Sequence, residues 1–179
     1  MVWLSDLVKD TLYVRIVLPK VYHRIDTTYP MILHLDSDVS LDLITSISNW
    51  LTLTGKINPM IIVGIAYKKD WQQKRARDMT PVRGDLAFQK ARPQSGMADN
   101  FLGAIQEELY PALEKYRIDW HDKTLTGHSL GGLLAFYTLI DRPALFDKYL
   151  LVAPAVNWYD NYALQLIDNM NDTPTAILI

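Results

Sequence analysis

Residues Thr124-Leu125-Thr126-Gly127-His128-Ser129-Leu130-Gly131-Gly132 run from an apolar segment into G-H-S-L-G-G and then into a helical pattern, Leu133 to Leu139. Such a stretch demands a strand, a tight turn and a helix, in that order. Glycines around Ser129 let the backbone turn without a Cβ clash, and the serine is left with its hydroxyl exposed at a sheet edge. A serine so placed is a candidate nucleophile. The alternative is a glycine-rich turn carrying an incidental serine.

The rest of the chain supplies the sheet that such a turn needs. Leu12 to Leu18 alternates, is rich in β-formers and stops at Pro19, which reads as a strand. A second strand, Met31 to Leu35, follows Pro30 and runs into the polar loop Asp36-Ser37-Asp38. Ser40 then caps a helix with Leu41, Ile44, Ile47 and Leu51 on one face, ending near Gly55. Met60 to Ala66 is continuously apolar, the pattern of a strand buried on both faces of a parallel sheet. Residues 67–98 carry many charges and two prolines with little periodicity, and read as one long loop. A helix follows from Asp99 to about Tyr116, with Pro111 expected to bend it. Beyond the serine turn the pattern gives a helix from Leu130 to Ile140, a strand from Tyr149 to Val152, a helix near Tyr162 to Met170 and an apolar run from Thr175 to Ile179.

Strands alternating with helices predict an α/β fold: a mostly parallel sheet with helices on both faces, in a single domain over residues 1–179. Ligands of such sheets bind at the carboxyl ends of the strands. Ser129, the Asp36 loop and the loop after Ala153 all fall at that edge.

Composition narrows the chemistry. A net charge of -2 gives no electrostatic case for nucleic acid or an anionic membrane surface. There is no cysteine, hence no thiolate nucleophile, disulfide or thiolate metal site, and no His/Asp/Glu cluster has metal-ligand spacing. No cofactor is implied. No apolar run is long enough to span a bilayer, and the start of the chain lacks the pattern of a secretory leader. A cytoplasmic location is the expectation, or a periplasmic one if a leader lies upstream.

A serine hydroxyl attacks only when a base removes its proton, and the developing oxyanion needs preorganised donors. One donor is the N–H of Leu130; the second comes from the loop after the early strand, from Asp38 or Ser37. The base is missing from view. The four histidines are His23, His34, His121 and His128, and none follows Ser129. His34 reads as a core residue, His128 as part of the turn, and His23 and His121 as surface. Asp160 is the best substitute acid, with a solvated or helix-capping role as the alternative. Arg77 and Asp78 either bind a substrate anion or brace the long loop by pairing. Glu107 and Glu108 read as the solvated face of a helix.

Beyond Ser129, further segments resemble the Putative esterase family of α/β-hydrolases, which includes enterochelin-esterase-like enzymes, esterase D and the mycolyltransferases. Tyr29 to Asp36 is similar to the family's YPVLYLLDG, and Arg77-Asp78-Met79-Thr80-Pro81 to its RDLTP. Gly96 to Leu102, with Glu107 to Pro111, resembles its GGADxFLxFIxxELIP helix, and Phe146 to Trp158 resembles FDxYIAISPSLWW. The resemblance covers nearly the whole chain. It implies an α/β-hydrolase fold with Ser129 as nucleophile and the N–H groups of Leu130 and Asp38 as oxyanion donors. Ser37 stands where the family has a glycine, and Trp158 falls where members line a substrate pocket. The family's catalytic acid and histidine lie beyond the segment equivalent to Thr175–Ile179, so the chain is expected to lack its C-terminal part.

The reading that results is a serine carboxylic-ester hydrolase acting through an acyl-enzyme on Ser129, of low activity as this chain alone. A small-molecule ester is the expected substrate; Ser37, Trp158 and Arg77 are the residues expected to contact it. The alternatives are a non-catalytic member that binds a ligand or partner, and an acyltransferase. Self-association through an uncovered C-terminal sheet edge is also expected.

Overall fold

The computed structural model describes residues 1–23 and 26–167, together with the backbone of 177 and 178. Its centre is a seven-stranded sheet: β1 (Val2–Ser5), β2 (Asp10–Val17), β3 (Tyr29–His34), β4 (Ile61–Ala66), β5 (Ile118–His128), β6 (Lys148–Val152) and β7 (Ile177–Leu178). The spatial order is β1-β2-β4-β3-β5-β6-β7. β1 and β2 pair antiparallel, β2 joins β4 antiparallel, and all pairs from β4 to β7 are parallel. The α/β-hydrolase fold expected from the sequence is thus the one found.

Side-chain alternation sorts two rows across the parallel strands. Val63, Leu33, Leu125 and Tyr149 are aligned in register and buried in the main core. The adjacent row, Gly64, His34, Thr126 and Leu150, faces the other side. Over the first face lie α2 (Trp71–Asp78), α6 (Leu130–Asp141) and the helix that runs through α4 (Ala98–Ala104), a π-helical segment Ile105–Leu109 and α5 (Tyr110–Leu113). Phe101, Leu102, Ile105, Leu109, Leu134 and Ala135 are buried in that layer. Over the second face lies α1 (Ser37–Leu53). Gly64 makes that packing close, because a Cβ there would sit 2.9 Å from Leu41 Cδ1 and closer still to Ser37 Oγ.

Several expectations from the sequence change. The helix after β3 begins at Ser37 and not after Ser40, and Asp36 is its N-terminal flanking residue. The interval 67–98 is no bare loop: it contains α2 and α3 (Leu86–Ala91). α2 has the sequence WQQKRARD, and charge pairing rather than an apolar stripe holds it. Lys74 and Arg77 bond Asp10, Arg77 also bonds Asp78, and Arg75 bonds Asp36. Pro111 sits in the first turn of α5, after a five-residue widening of the ladder to π geometry. α7 (Trp158–Gln165) opens with a left-handed stretch at Tyr159, Asp160 and Asn161, so its regular helical part begins near Tyr162 as expected, and the expected far end lies outside the described residues.

Glu108 corrects another expectation. It is not a solvated charge, since its carboxylate accepts hydrogen bonds from Trp3 Nε1 at 3.0 Å, Asp6 N at 3.1 Å and Leu7 N at 3.0 Å. Partial burial opposes the charge, but these bonds and the nearby Ser5 hydroxyl win and hold the carboxyl below its ordinary range. The folded state therefore binds the proton less readily than the unfolded chain does. The stabilisation is complete above the unfolded value and is lost as pH falls through the folded one. Glu108→Gln should cost about 1–2 kcal/mol at pH 7 after allowance for solvent screening. In urea unfolding, its difference from the parent should shrink towards zero at acid pH; a difference equally large there would refute the role of the charge.

Candidate active site

Ser129 occupies the single residue between β5 and α6 with φ 56° and ψ −112°. That conformation is uncommon for any residue with a Cβ and costs on the order of 1–3 kcal/mol. Its surroundings hold it there. Ser129 N–H donates to the Val152 carbonyl at 3.0 Å, and its own carbonyl accepts from Leu133 N–H at 2.9 Å and Ala155 N–H at 3.0 Å. Asp36, Lys68 and Ala153, which follow β3, β4 and β6, also have positive φ. The unusual backbone is gathered at the carboxyl edge of the sheet, where ligand sites of this architecture form.

The Ser129 side chain does not cap α6 and is partly exposed. The N–H of Leu130 is one of those a helix cannot pair within itself, and the positive end of α6 faces the same point. A nucleophile elbow has this shape.

The β3 loop is tied to the elbow by an arginine. Asp36, with φ 61°, receives Arg75 Nε at 2.6 Å on one carboxylate oxygen and Arg75 Nη2 at 2.8 Å on the other. The same Nη2 donates to the carbonyl of His128 at 3.1 Å, one residue before the nucleophile. Among the described residues Arg75 Nη1 has no protein partner. Asp38 is fixed by its own side chain, whose oxygens accept from Tyr67 N–H at 2.7 Å and Lys68 N–H at 2.8 Å. Its backbone N–H lies in the first turn of α1, where helix geometry leaves donors free.

The pair Asp36–Arg75 is nearly buried, with side chains 5% and 14% exposed. Arg75→Ala would leave a buried carboxylate unpaired, which costs about 3 kcal/mol. We expect a lower melting temperature for Arg75→Ala, and for Arg75→Lys a smaller drop because the two-pronged geometry is lost but the charge stays. An unchanged melting temperature in Arg75→Ala would overturn the staple.

The other residues singled out from the sequence fall in different places. Ser37 turns inward: it is buried, its hydroxyl donates to the His34 carbonyl at 3.1 Å, and it presses against Gly64. The Arg77 guanidinium is engaged by Asp78 at 2.6 and 2.9 Å and by Asp10 at 2.9 Å, the geometry of a brace. Burial holds the Asp78 carboxyl above its ordinary value, and Arg77 works against that. Trp158 packs edge-on to Phe88 at 5.1 Å, with the Arg92 guanidinium 5.6 Å from its ring. Its indole N–H is buried without a protein partner. A hydrogen bond from Trp158 N to Ala155 O joins it to the turn that holds Ser129. Asp160 is exposed on a left-handed stretch of α7, with its carbonyl bonded by Gln165.

Among the described residues no histidine bonds the Ser129 hydroxyl. His34 Nε2 lies 2.8 Å from Ser40 Oγ, its Nδ1 is buried without a partner, and burial lowers its basicity. His34 is therefore only half satisfied. His23, His121 and His128 are exposed. No group of three or more histidine, aspartate and glutamate side chains among these residues is arranged to hold a metal ion. Sequence reasoning missed Arg75, which carries no periodic signal and stands two residues from the arginine that drew notice.

Comparison with known proteins agrees with this fold. The ferri-bacillibactin esterase BesA of Bacillus subtilis is 32% identical over 143 residues, which are 70% of this chain and 48% of BesA. The siderophore triacetylfusarinine C esterase of Aspergillus fumigatus is 34% identical over 104 residues, 55% of this chain and 34% of that protein. The chain spans about half the length of such relatives or less. Among solved structures, the BES protein from Bacillus cereus superposes with a TM-score of 0.86 at 29% identity, covering 95% of this chain and 66% of that one. An IroE-like serine hydrolase from Shewanella oneidensis gives 0.79 at 30% identity, covering 94% and 54%. The family described as Putative esterase matches residues 5–172. A strained serine at a strand–turn–helix junction and a family match over nearly the whole length make this chain a member of that esterase family.

Proposed function

We propose that residues 1–179 form one α/β-hydrolase unit carrying the nucleophile and oxyanion donors of a serine carboxylic-ester hydrolase. The observation that carries the proposal is the backbone of Ser129, held at φ 56° by three hydrogen bonds from the β6 side and α6. In the reaction, Ser129 Oγ bonds to the ester carbonyl carbon and its proton passes to a base. The carbonyl oxygen becomes an oxyanion facing the N–H groups of Leu130 and Asp38. The carbon–alkoxy bond then breaks, the alcohol leaves with a proton, and an acyl-Ser129 ester remains. Water attacks that ester, breaks the acyl–Oγ bond and releases the acid.

The substrate class we assign is a siderophore-type ester, supported by the activities named for the relatives. Trp158, with its unpartnered indole donor, is the pocket residue of this reading. Labelling with a fluorophosphonate followed by peptide mass analysis tests it. The adduct should fall on Ser129 and vanish in Ser129→Ala; an adduct on another serine would overturn the assignment.

A second reading concerns assembly. We infer that the chain self-associates through the sheet edge at β7, the last strand in the order β1-β2-β4-β3-β5-β6-β7; a monomer by light scattering would overturn this reading.

A further inference from the structure

The short helix α3 is held to the body of the protein by little besides aromatic rings. None of its residues is buried, and Leu86 is 78% exposed. Its hydrogen bonds among the described residues stay local. Asp85 Oδ1 accepts from Phe88 N–H at 2.8 Å, Gln89 Nε2 donates to the Gly84 carbonyl at 2.8 Å, and Ser95 Oγ donates to the Arg92 carbonyl at 2.8 Å. A groove of about 400 Å³ lies between its C-terminal end and α2. Phe88 makes the outward contact, with its ring centroid 5.1 Å from that of Trp158 and 5.0 Å from that of Tyr159, both edge-on. The Arg92 guanidinium lies 5.6 Å from the Trp158 ring. A glycine with positive φ stands at either end of the segment, Gly84 at 72° and Gly96 at 87°. A Cβ on Gly84 would lie 2.7 Å from the Tyr159 ring, so the chain passes there only without one. At Gly96 the anchored chain resumes: Gly96 N–H donates to Thr80 Oγ1 at 2.8 Å and Met97 N–H to the Arg77 carbonyl at 2.9 Å. An element with few buried contacts opens at a lower free-energy cost than the core to which it is attached.

We propose that residues 84–96 form a flap beside the elbow, that Phe88 latches it, and that Phe88 thereby sets the size of the ester admitted to Ser129. The proposal rests on the serine-hydrolase reading of Ser129 and adds a specificity residue to it. Two observations direct the flap to that site. Trp158 N–H donates to the Ala155 carbonyl at 3.1 Å, and Ala155 N–H donates to the Ser129 carbonyl at 3.0 Å. The ring that Phe88 covers is thus joined to the nucleophile through one residue. The Trp158 indole N–H is buried without a protein partner. A buried donor left in that state opposes closure, and opening the flap offers it an acceptor on a ligand or in water. With the flap closed, Phe88 fills the space against Trp158 and Tyr159, and compact esters alone fit. With it open, those two rings receive a bulky acid or alcohol part.

Two measurements on the full chain test the latch and the gate separately. Lys90 lies in α3, and trypsin reaches the bond after it when the flap is open. Loss of two ring contacts in Phe88→Ala should speed cleavage after Lys90 about tenfold, with the melting temperature that of the parent. Phe88→Tyr keeps the ring and should be cut at the parent rate. For the gate, labelling rates of Ser129 are compared for a fluorophosphonate carrying a naphthyl group and one carrying only ethyl groups. In both, the Oγ–P bond forms and the P–F bond breaks, releasing fluoride and the serine proton. Phe88→Ala should raise the naphthyl-to-ethyl rate ratio about tenfold, the population of open flap having risen by that factor. Cleavage after Lys90 at the parent rate in Phe88→Ala would overturn the latch, and so would a fall in melting temperature with no faster cleavage. An unchanged rate ratio, with the adduct on Ser129, would overturn the gate and leave the esterase reading standing. Adducts of both reagents on another residue would overturn the esterase reading and the gate together, while trypsin still decides the latch.

Discussion

Replacing Ser129 by alanine should lower hydrolysis of a p-nitrophenyl ester to the buffer rate. The nucleophile forms the only covalent bond between the protein and the substrate in the proposed sequence, so no other side chain can stand in for it. The magnitude depends on what the parent achieves. None of the four histidines follows Ser129, and none bonds its hydroxyl among the described residues. A serine without a base is a weak nucleophile, so the 179-residue chain itself should turn over slowly. A free base should then help. Added imidazole should raise the rate more in the parent than in Ser129→Ala, the difference being the part that passes through the serine. A longer protein including this sequence and a histidine partner for Ser129 should lose activity by several orders of magnitude on the same substitution. Equal rates for Ser129→Ala and parent in such a protein would sink the nucleophile assignment. Product analysis with a competing alcohol separates hydrolysis from acyl transfer, since water and alcohol compete for the same acyl-Ser129.

Gly127→Ala should have the largest effect on folding. A Cβ at Gly127 would lie 2.5 Å from the backbone carbon of Gly131 and 2.6 Å from its oxygen. Both atoms belong to the first turn of α6, whose position Ser129 and the β6 loop already fix, so neither can retreat as a flexible side chain would. The expected cost is about 3 kcal/mol or more, at the upper end of overpacking. For a chain of this length that is a fall of roughly 10 °C in melting temperature. Gly131→Ala meets something different, since its Cβ would lie 2.9 Å from Asp36 Oδ2, a side-chain atom. It should disturb the Asp36–Arg75 pair more than the fold. A melting temperature for Gly127→Ala within 2 °C of the parent would contradict the close packing of elbow and helix.

Patterns spanning a few residues were legible in the sequence. The β4 run is buried throughout, β3 and β6 lie where alternation and prolines put them, and the elbow is strand, serine, helix as its glycines require. Segments held by charge were not legible. α2 shows no apolar period because Lys74, Arg75 and Arg77 hold it through ion pairs, and ion pairs have no preferred spacing along a chain. Glu108 looked like surface because its donors lie about a hundred residues earlier. β1 was missed, being four residues long and alternately buried.

The same division holds for the site. By itself the sequence determined strands β2 to β6, the helices α1, α4 and α6, and the strand–serine–helix turn at the carboxyl edge of the sheet. Those follow from side-chain periodicity and from the conformational freedom of glycine, both local properties. Only the tertiary structure decided that Arg75 links Asp36 to His128 across 39 and 53 residues of chain, that Ser37 faces inward, and that α1 leaves an apolar side uncovered. Each of these is a matter of which surfaces meet. That is set by packing the whole sheet between its helices, and it leaves no periodic trace in the sequence.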